Sequence, residues 1–160
     1  MSSRIACVLT LTIFACVVAK TGTAKETVKP SATANHRTLF ESSSLENNFG
    51  KQVSLAEYKD SKVIVLAFLG TECPMAKLYG PTLSRLQDEF KTKGVQFLGI
   101  SSNKQDSLTE LTAYVNRYEL SFPMLKDLGN KVADKLGAKR TPEVFVLDSS
   151  LDVCYQGRID

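Results

Sequence analysis

The sequence predicts an α/β fold in which a mostly parallel sheet is covered by helices on both faces and ends in a C-terminal β-hairpin. Apolar runs of strand length, such as residues 63–69 and Val95–Ser101, alternate with segments whose apolar residues recur at helical spacing. Such alternation is typical of parallel sheets with helices on both faces. The last two apolar runs, at 144–147 and 153–159, are separated by a polar turn at 148–150, which favours a hairpin.

Residues 1–24 are predicted to be a signal peptide. One positive residue, Arg4, precedes an apolar stretch at 5–19 that is short for a membrane span, and the small residues at 22–24 resemble a cleavage site. We therefore expect export to the periplasm or the extracellular space. Two alternatives stay open, namely an uncleaved segment that anchors the chain in a membrane and lipid attachment at Cys16.

Composition assigns the rest of the chain to one domain. Residues 25–37, rich in Thr, Ala, Lys and Ser, are typical of a flexible linker, and residues 38–160 are long enough for a single core. Loss of Arg4 and Lys20 with the signal peptide lowers the net charge from +3 to +1, so a nucleic-acid partner is not predicted. The only histidine, His36, precedes the domain, so neither a metal nor a cofactor is predicted.

The first predicted helix begins at Cys73, directly after the strand at 63–69. A kink is expected at Gly80-Pro81, and Gly94 ends the helical pattern before the next strand. One apolar stripe runs along this helix and consists of Tyr79, Leu83, Leu86 and Phe90.

Two more helices follow from local end signals. Ser107 and Glu110 form a capping-box pattern that predicts a helix from Leu108 onward. A short extended piece is predicted at 122–125. A third helix is predicted at 130–136, ended by the glycine that follows it.

A lone cysteine stands where a buried strand turns into a helix. Pro74 after Cys73 suits the first helical position, because the N–H that proline lacks would have no partner there. Backbone N–H groups at a helix N-terminus favour negative charge and therefore the thiolate, the nucleophilic form of the side chain. The alternative is a packed and inert cysteine, since free cysteines are often buried.

The surroundings of Cys73 resemble the thioredoxin-like redoxins, the superfamily that includes peroxiredoxins and thioredoxins. Cys73, Lys77 and Pro81 match the first cysteine, the lysine of Cys-x-x-Cys-Lys and the helix proline of thioredoxins. Thr141-Pro142, before a predicted strand, is similar to the cis-proline loop of the family. The resemblance spans about residues 38–160 and implies a thioredoxin-like fold. Such domains usually add one helix after the hairpin, so this domain is expected to be C-terminally incomplete.

Several positions depart from the two best-known branches. Ala76 stands in place of the second thioredoxin cysteine, so no Cys-x-x-Cys dithiol can form. Gly70 stands where peroxiredoxins carry a threonine, and Thr71 is one residue later; their catalytic arginine aligns near Pro142, with Arg140 the nearest candidate. The chain therefore resembles the peroxiredoxin-like branch (alkyl hydroperoxide reductase/thiol-specific antioxidant) with a single active-site Cys-Pro pair.

This resemblance implies a thiol-dependent oxidoreductase with antioxidant activity through Cys73, and the predicted signal peptide implies that it is exported. The thiolate would attack a peroxide, giving a sulfenic acid, or a protein disulfide, giving a mixed disulfide, and an external thiol would complete the cycle. Two alternatives are a thiol–disulfide exchange protein and a non-enzymatic binding scaffold. A membrane tether through the N-terminal segment would apply if the signal stays uncleaved.

The expected site has three parts. Cys73, Thr71 and Arg140 form its catalytic part. The substrate-binding part consists of Pro74, Thr141 and Pro142. Cys154 is the internal candidate for a resolving thiol, and its alternative is a packed residue of a strand.

Overall fold

The computed structural model describes residues 38–39 and 42–159. The predicted signal peptide and linker, together with Cys16 and His36, lie outside this part of the chain. Among the helices within it, none has the length and apolar character needed to cross a membrane.

In the described part of the chain, seven strands form one sheet, and three α-helices connect successive strands. The strands are β1 (Ser44–Asn47), β2 (Gln52–Ser54), β3 (Val63–Phe68), β4 (Val95–Ser101), β5 (Met124–Lys126), β6 (Glu143–Asp148) and β7 (Val153–Gly157), and the helices are α1 (Pro74–Phe90), α2 (Leu108–Arg117) and α3 (Lys131–Leu136). The order across the sheet is β2-β1-β5-β4-β3-β6-β7.

The sheet is mixed, which corrects the expectation of a mostly parallel one. β3, β4 and β5 run parallel at its centre, but β1 is antiparallel to β2 and β5, and β6 is antiparallel to β3 and β7. Parallel neighbours need a long crossover, whereas short turns such as those after β1 and β6 join antiparallel neighbours. β1 and β2 escaped prediction because they are short and mostly polar.

Helices cover both faces of the sheet, as predicted. On one face, α1 and α2 pack against Val63, Val65 and Ala67 of β3. On the other face, α3 and a 3-10 turn at Leu55–Tyr58 pack around the side chains of β3 that alternate with these. β3 is therefore buried on both faces, which explains its unbroken apolar sequence.

The predicted helix signals agree with the structure. α1 begins at Pro74, and α2 begins at Leu108 behind the capping box. α3 is followed by Gly137 with φ 74°, a left-handed conformation that favours glycine. β5 lies two residues further along the chain than the extended piece predicted at 122–125.

Strand register determines which loops meet at the end of β3. Phe68, the last residue of β3, pairs with Ile100 of β4 and with Glu143 of β6. The turn that follows β3 therefore lies between the loop that leaves β4 and the loop that enters β6. Cys73 belongs to that central turn.

Candidate active site

Cys73 is the residue that precedes the first turn of α1. Its backbone is extended (φ −72°, ψ 117°), its N–H donates to the Gly70 carbonyl at 3.1 Å, and Pro74 occupies the first turn of the helix. The thiol is free and the residue is half-buried. A nucleophile at this position is both held by the turn and open to solvent on one side.

The Cys73 sulfur lies against the loop that enters β6. Its thiol donates to the Thr141 carbonyl, with 3.3 Å between Sγ and the oxygen. The Thr141-Pro142 peptide bond is cis, as the resemblance implied. The structure thus brings Cys73 together with Pro74, Thr141 and Pro142, all four of which have exposed or half-buried side chains.

Thr71, which is expected in the catalytic part of the site, directs its hydroxyl hydrogen to Asp106 and not to the Cys73 sulfur. Its hydroxyl donates to Asp106 Oδ1 at 2.7 Å, and its backbone N–H donates to Asp106 Oδ2 at 3.2 Å. Because a threonine hydroxyl carries one hydrogen, that hydrogen is committed to Asp106 in this arrangement. Thr71 is also buried.

Asp106 is a member of the site that sequence reasoning missed. Besides the two bonds from Thr71, its Oδ2 accepts hydrogen bonds from Ser101 Oγ at 2.8 Å and Asn103 Nδ2 at 3.2 Å. Burial raises the pKa of this carboxyl, but the hydrogen bonds outweigh burial and hold the pKa below its usual range. One sequence feature could have identified Asp106, namely its place just after β4, because the end of β4 lies beside the end of β3.

The loop after β4 is itself tightly held. Asn103 accepts a hydrogen bond on its carbonyl from the buried Lys126 Nζ. A Cβ at Gly70 would lie 2.3 Å from Asn103 Nδ2, so a side chain at position 70 would require the Asn103 amide to move. The backbone at position 70, where peroxiredoxins carry a threonine, is thus packed closely against Asn103.

Arg140 and Cys154 occupy less central places. Arg140 is exposed beside Thr141, and within the described residues no hydrogen bond or ion pair joins its guanidinium to Cys73. Cys154 lies in β7 between residues that pair with Val146 and Leu147. Val146 is three residues along β6 from Glu143, which pairs with the end of β3, where the turn of Cys73 begins. At about 3.3 Å per residue, Cys154 therefore lies about 10 Å along the strands from that level, whereas a disulfide needs Cα atoms within about 7 Å. Cys73 shares no disulfide with Cys154.

Two large apolar side chains are exposed at the start of α1. Met75 and Leu78 have exposed fractions of 45% and 62%. Both are in the first two turns of the helix, close in sequence to Pro74. Among described residues they make up half of the large exposed hydrophobic side chains, the other two being Phe49 and Leu128.

Tyr114 joins α2 to the first turn of α1. Its hydroxyl donates to the Ala76 carbonyl at 2.6 Å, and burial raises the pKa of Tyr114 well above its ordinary value. Next to it lies a cavity of about 150 Å³ whose lining includes two acidic residues, Glu72 and Glu110, and two basic residues, Lys77 and Arg117. The charge beside the Cys73 turn is therefore balanced rather than strongly positive.

Comparison with known proteins points to one family. The AhpC/TSA family model matches residues 37–156. Thiol-disulfide oxidoreductase ResA of Halalkalibacterium halodurans is 31% identical over 65% of this chain and 57% of its own, and peroxiredoxin Q of Sedum lineare is 29% identical over 66% and 59%. The chain thus spans less than two thirds of the length of these curated relatives.

The fold is also similar to that of solved structures. A hypothetical protein of Sinorhizobium meliloti superposes with a TM-score of 0.70 at 31% identity, covering 74% of this chain and 67% of the other.

Proposed function

The chain belongs to the AhpC/TSA family and has a thioredoxin-like fold, and from this premise we propose that it is a thiol-dependent oxidoreductase whose nucleophile is Cys73. The observation that carries the proposal is the free thiol at the start of α1, with Sγ 3.3 Å from the Thr141 carbonyl of the cis-proline loop. A helix N-terminus favours the thiolate, and the half-buried side chain leaves one side open to a substrate.

The substrate that the geometry favours is a protein disulfide. The Cys73 thiolate attacks one sulfur of the substrate disulfide, so that a new S–S bond forms at Cys73, the old one breaks, and the second substrate sulfur leaves as a thiolate. Ala76 offers no second thiol in the helix. An external thiol therefore attacks the mixed disulfide, returns Cys73 to its thiolate and carries the substrate sulfur away in a new disulfide.

The exposed apolar surface on α1 supports a macromolecular partner. Met75 and Leu78 expose apolar area in the first two turns of the helix that follows Cys73, and a protein that docks there would bury it. Pro74 and the Thr141-Pro142 loop border the Cys73 sulfur. A small peroxide would leave this surface exposed.

Peroxide reduction is the second candidate, and the similarity to peroxiredoxin Q supports it. In this reaction the Cys73 thiolate takes the terminal hydroxyl of a hydroperoxide, the O–O bond breaks, and the alkoxide leaves and takes up a proton. One external thiol then converts the sulfenic acid to a mixed disulfide and water, and a second releases Cys73. The commitment of the Thr71 hydroxyl to Asp106 removes one donor that could assist this step.

We further propose that the protein is exported. Support comes from the charged, apolar and small-residue pattern at 1–24. N-terminal sequencing of protein recovered from the exported fraction of a bacterial host should begin at Lys25. Recovery with the membranes and an intact N-terminus would instead favour the tether.

The nucleophile is tested by comparing Cys73→Ser with Cys154→Ser. The purified protein is given insulin as a protein disulfide, or hydrogen peroxide, with a small thiol in excess. We expect Cys73→Ser to fall to the uncatalysed rate because the attacking sulfur is gone, and Cys154→Ser to keep the wild-type rate. Loss of turnover in Cys154→Ser alone would assign the resolving role to Cys154.

The intermediate separates the enzyme from a binding scaffold. Without external thiol, mass spectrometry of the wild type should find a mixed disulfide at Cys73 after disulfide treatment, or dimedone-labelled sulfenic acid after peroxide. If neither adduct forms, the scaffold interpretation replaces both reactions.

A further inference from the structure

We propose that Asp106 is a positioning residue for the reaction at Cys73, in which its carboxylate fixes the turn between β3 and α1 and so holds the sulfur at the Thr141 carbonyl. This inference rests on the proposed function of Cys73. It assigns a role to a residue that does not touch the sulfur and is not a catalytic residue.

Besides Asp106, the turn contacts α1 through the Lys77 N–H, which donates to the Cys73 carbonyl at 3.0 Å, and through an ion pair of 3.5 Å between Glu72 and Lys77. It runs from Gly70 to Cys73 and is closed by one backbone bond, from the Cys73 N–H to the Gly70 carbonyl at 3.1 Å. Asp106 restrains Thr71, one of the two residues between them, twice, through its N–H and its hydroxyl. Because Thr71 is two residues from Cys73, a shift of Thr71 moves the sulfur as well.

The other side of Asp106 is anchored to the sheet. Ser101, the last residue of β4, donates its hydroxyl to Oδ2, and Asn103 donates its amide to the same oxygen. The Asp106 N–H in turn donates to the Asn103 carbonyl at 3.2 Å. Asp106 therefore connects a rigid strand end to the turn of the nucleophile.

A carboxylate is the group that these contacts require. All four side-chain contacts of Asp106 are hydrogen bonds that it accepts. In an asparagine of the same size, an NH₂ group replaces one carboxylate oxygen. This group donates hydrogen bonds and cannot accept them, so the donors that face it would lose their acceptor and part of the network would break. The single substitution Asp106→Asn thus removes the anchor with almost no change in volume.

The sign of the effect distinguishes positioning from simple electrostatics. A nearby negative charge disfavours the thiolate, so if Asp106 acted only through its charge, Asp106→Asn would make Cys73 react faster. A positioning role predicts the opposite, since the turn would no longer hold the sulfur in its reactive place.

The test measures the rate constant of Cys73 with dithiodipyridine, a neutral disulfide that releases a coloured thione, and with insulin. We expect Asp106→Asn and Thr71→Val each to lower both rate constants by about tenfold or more, as misplaced reacting groups do. Thr71→Ser keeps the hydroxyl and should stay near wild type. The double variant should be no slower than the slower single variant, because both substitutions break the same interaction between Thr71 and Asp106.

Asp127 supplies the matched control. It is also buried, and it accepts hydrogen bonds from Ser102 Oγ and from the N–H groups of Val132 and Ala133 at the start of α3. Asp127→Asn should therefore destabilise the fold without slowing Cys73. In hydrogen–deuterium exchange, the Thr71 amide should exchange faster in Asp106→Asn and at the wild-type rate in Asp127→Asn.

Three results would overturn the proposal. They are a folded Asp106→Asn that reacts as fast as wild type or faster, additive losses in the double variant, and equal slowing by Asp127→Asn. If Asp106→Asn does not fold, Thr71→Val against Thr71→Ser decides the same question. If wild type acts on neither insulin nor peroxide, the proposed function fails, while the dithiodipyridine rates still test Asp106.

Discussion

Asp106 keeps a negative charge at a position that is only 1% exposed. Burial alone would favour the protonated form, but hydrogen bonds from Thr71, Ser101 and Asn103 stabilise the carboxylate and hold its pKa below the ordinary value of 3.8. The folded chain therefore binds this proton less tightly than the unfolded chain. It follows that the ionised carboxyl stabilises the fold above the unfolded pKa, and that this stabilisation is lost as the pH falls through the lower folded pKa.

We predict that Asp106→Asn lowers the free energy of unfolding at pH 7 and makes it less sensitive to acid. The gap between wild type and variant should narrow as the pH falls below about 3.8, because the carboxyl of the unfolded chain binds its proton there while that of the folded chain binds it only at lower pH. Urea unfolding at a series of pH values measures this gap. The exposed Asp88→Asn serves as the control, and a gap that is independent of pH would contradict the prediction.

At the scale of elements, α2 begins directly after Asp106 with a complete capping box. Ser107 Oγ accepts from the Glu110 N–H at 3.3 Å, and Glu110 Oε2 accepts from the Ser107 N–H at 2.7 Å. The hydrogen bonds from Ser107 also hold the pKa of Glu110 below its usual range. The cap fixes the start of α2, and Tyr114 of the same helix contacts the first turn of α1. The position of α2, fixed by the cap at Ser107, therefore also fixes the contact between Tyr114 and the first turn of α1.

Ser107→Ala is expected to cost about 0.5–2 kcal/mol of stability, the usual effect of losing an N-cap side chain. Ser107→Thr retains an accepting hydroxyl and should lose much less. Chemical denaturation of the two variants compares them directly. Equal losses in Ala and Thr would mean that the hydroxyl does not cap α2 in solution.

On the scale of the whole molecule, the core on the α1 and α2 face extends past the last strand. Ile159 follows β7 and is 1% exposed, packed within the cluster that also contains Leu83 and Val146. The neighbouring Arg158 is exposed, and its carbonyl accepts a hydrogen bond from Tyr155. The segment after the hairpin therefore contributes to the same core as the helix that carries Cys73.

Ile159→Ala should lower the free energy of unfolding by about 2–5 kcal/mol, the range for deletion of a buried aliphatic side chain. Arg158→Ala, one residue away and exposed, should change it by less than about 0.5 kcal/mol. Urea denaturation distinguishes the two. A loss below about 1 kcal/mol for Ile159→Ala would indicate that this segment is not packed in solution.

Local patterns predicted those parts of the protein whose cause lies within a few residues. The apolar run of β3, the proline at the start of α1, the capping box at Ser107 and the glycine after α3 each act through neighbouring backbone groups. The turn of the hairpin is equally local. These elements, and the place of Cys73 among them, therefore follow from the sequence alone.

Only the tertiary structure decided how the strands pair and which side chains meet. Thr71 and Asp106 are 35 residues apart in the chain, and Cys73 and Thr141 are 68 apart. Register brings each pair together, since Phe68 at the end of β3 lies between Ile100 and Glu143. A threonine and an aspartate look the same in a sequence whether or not they meet. Their bond depends on which strands become neighbours, and that depends on the burial of the whole sheet between its two layers of helices.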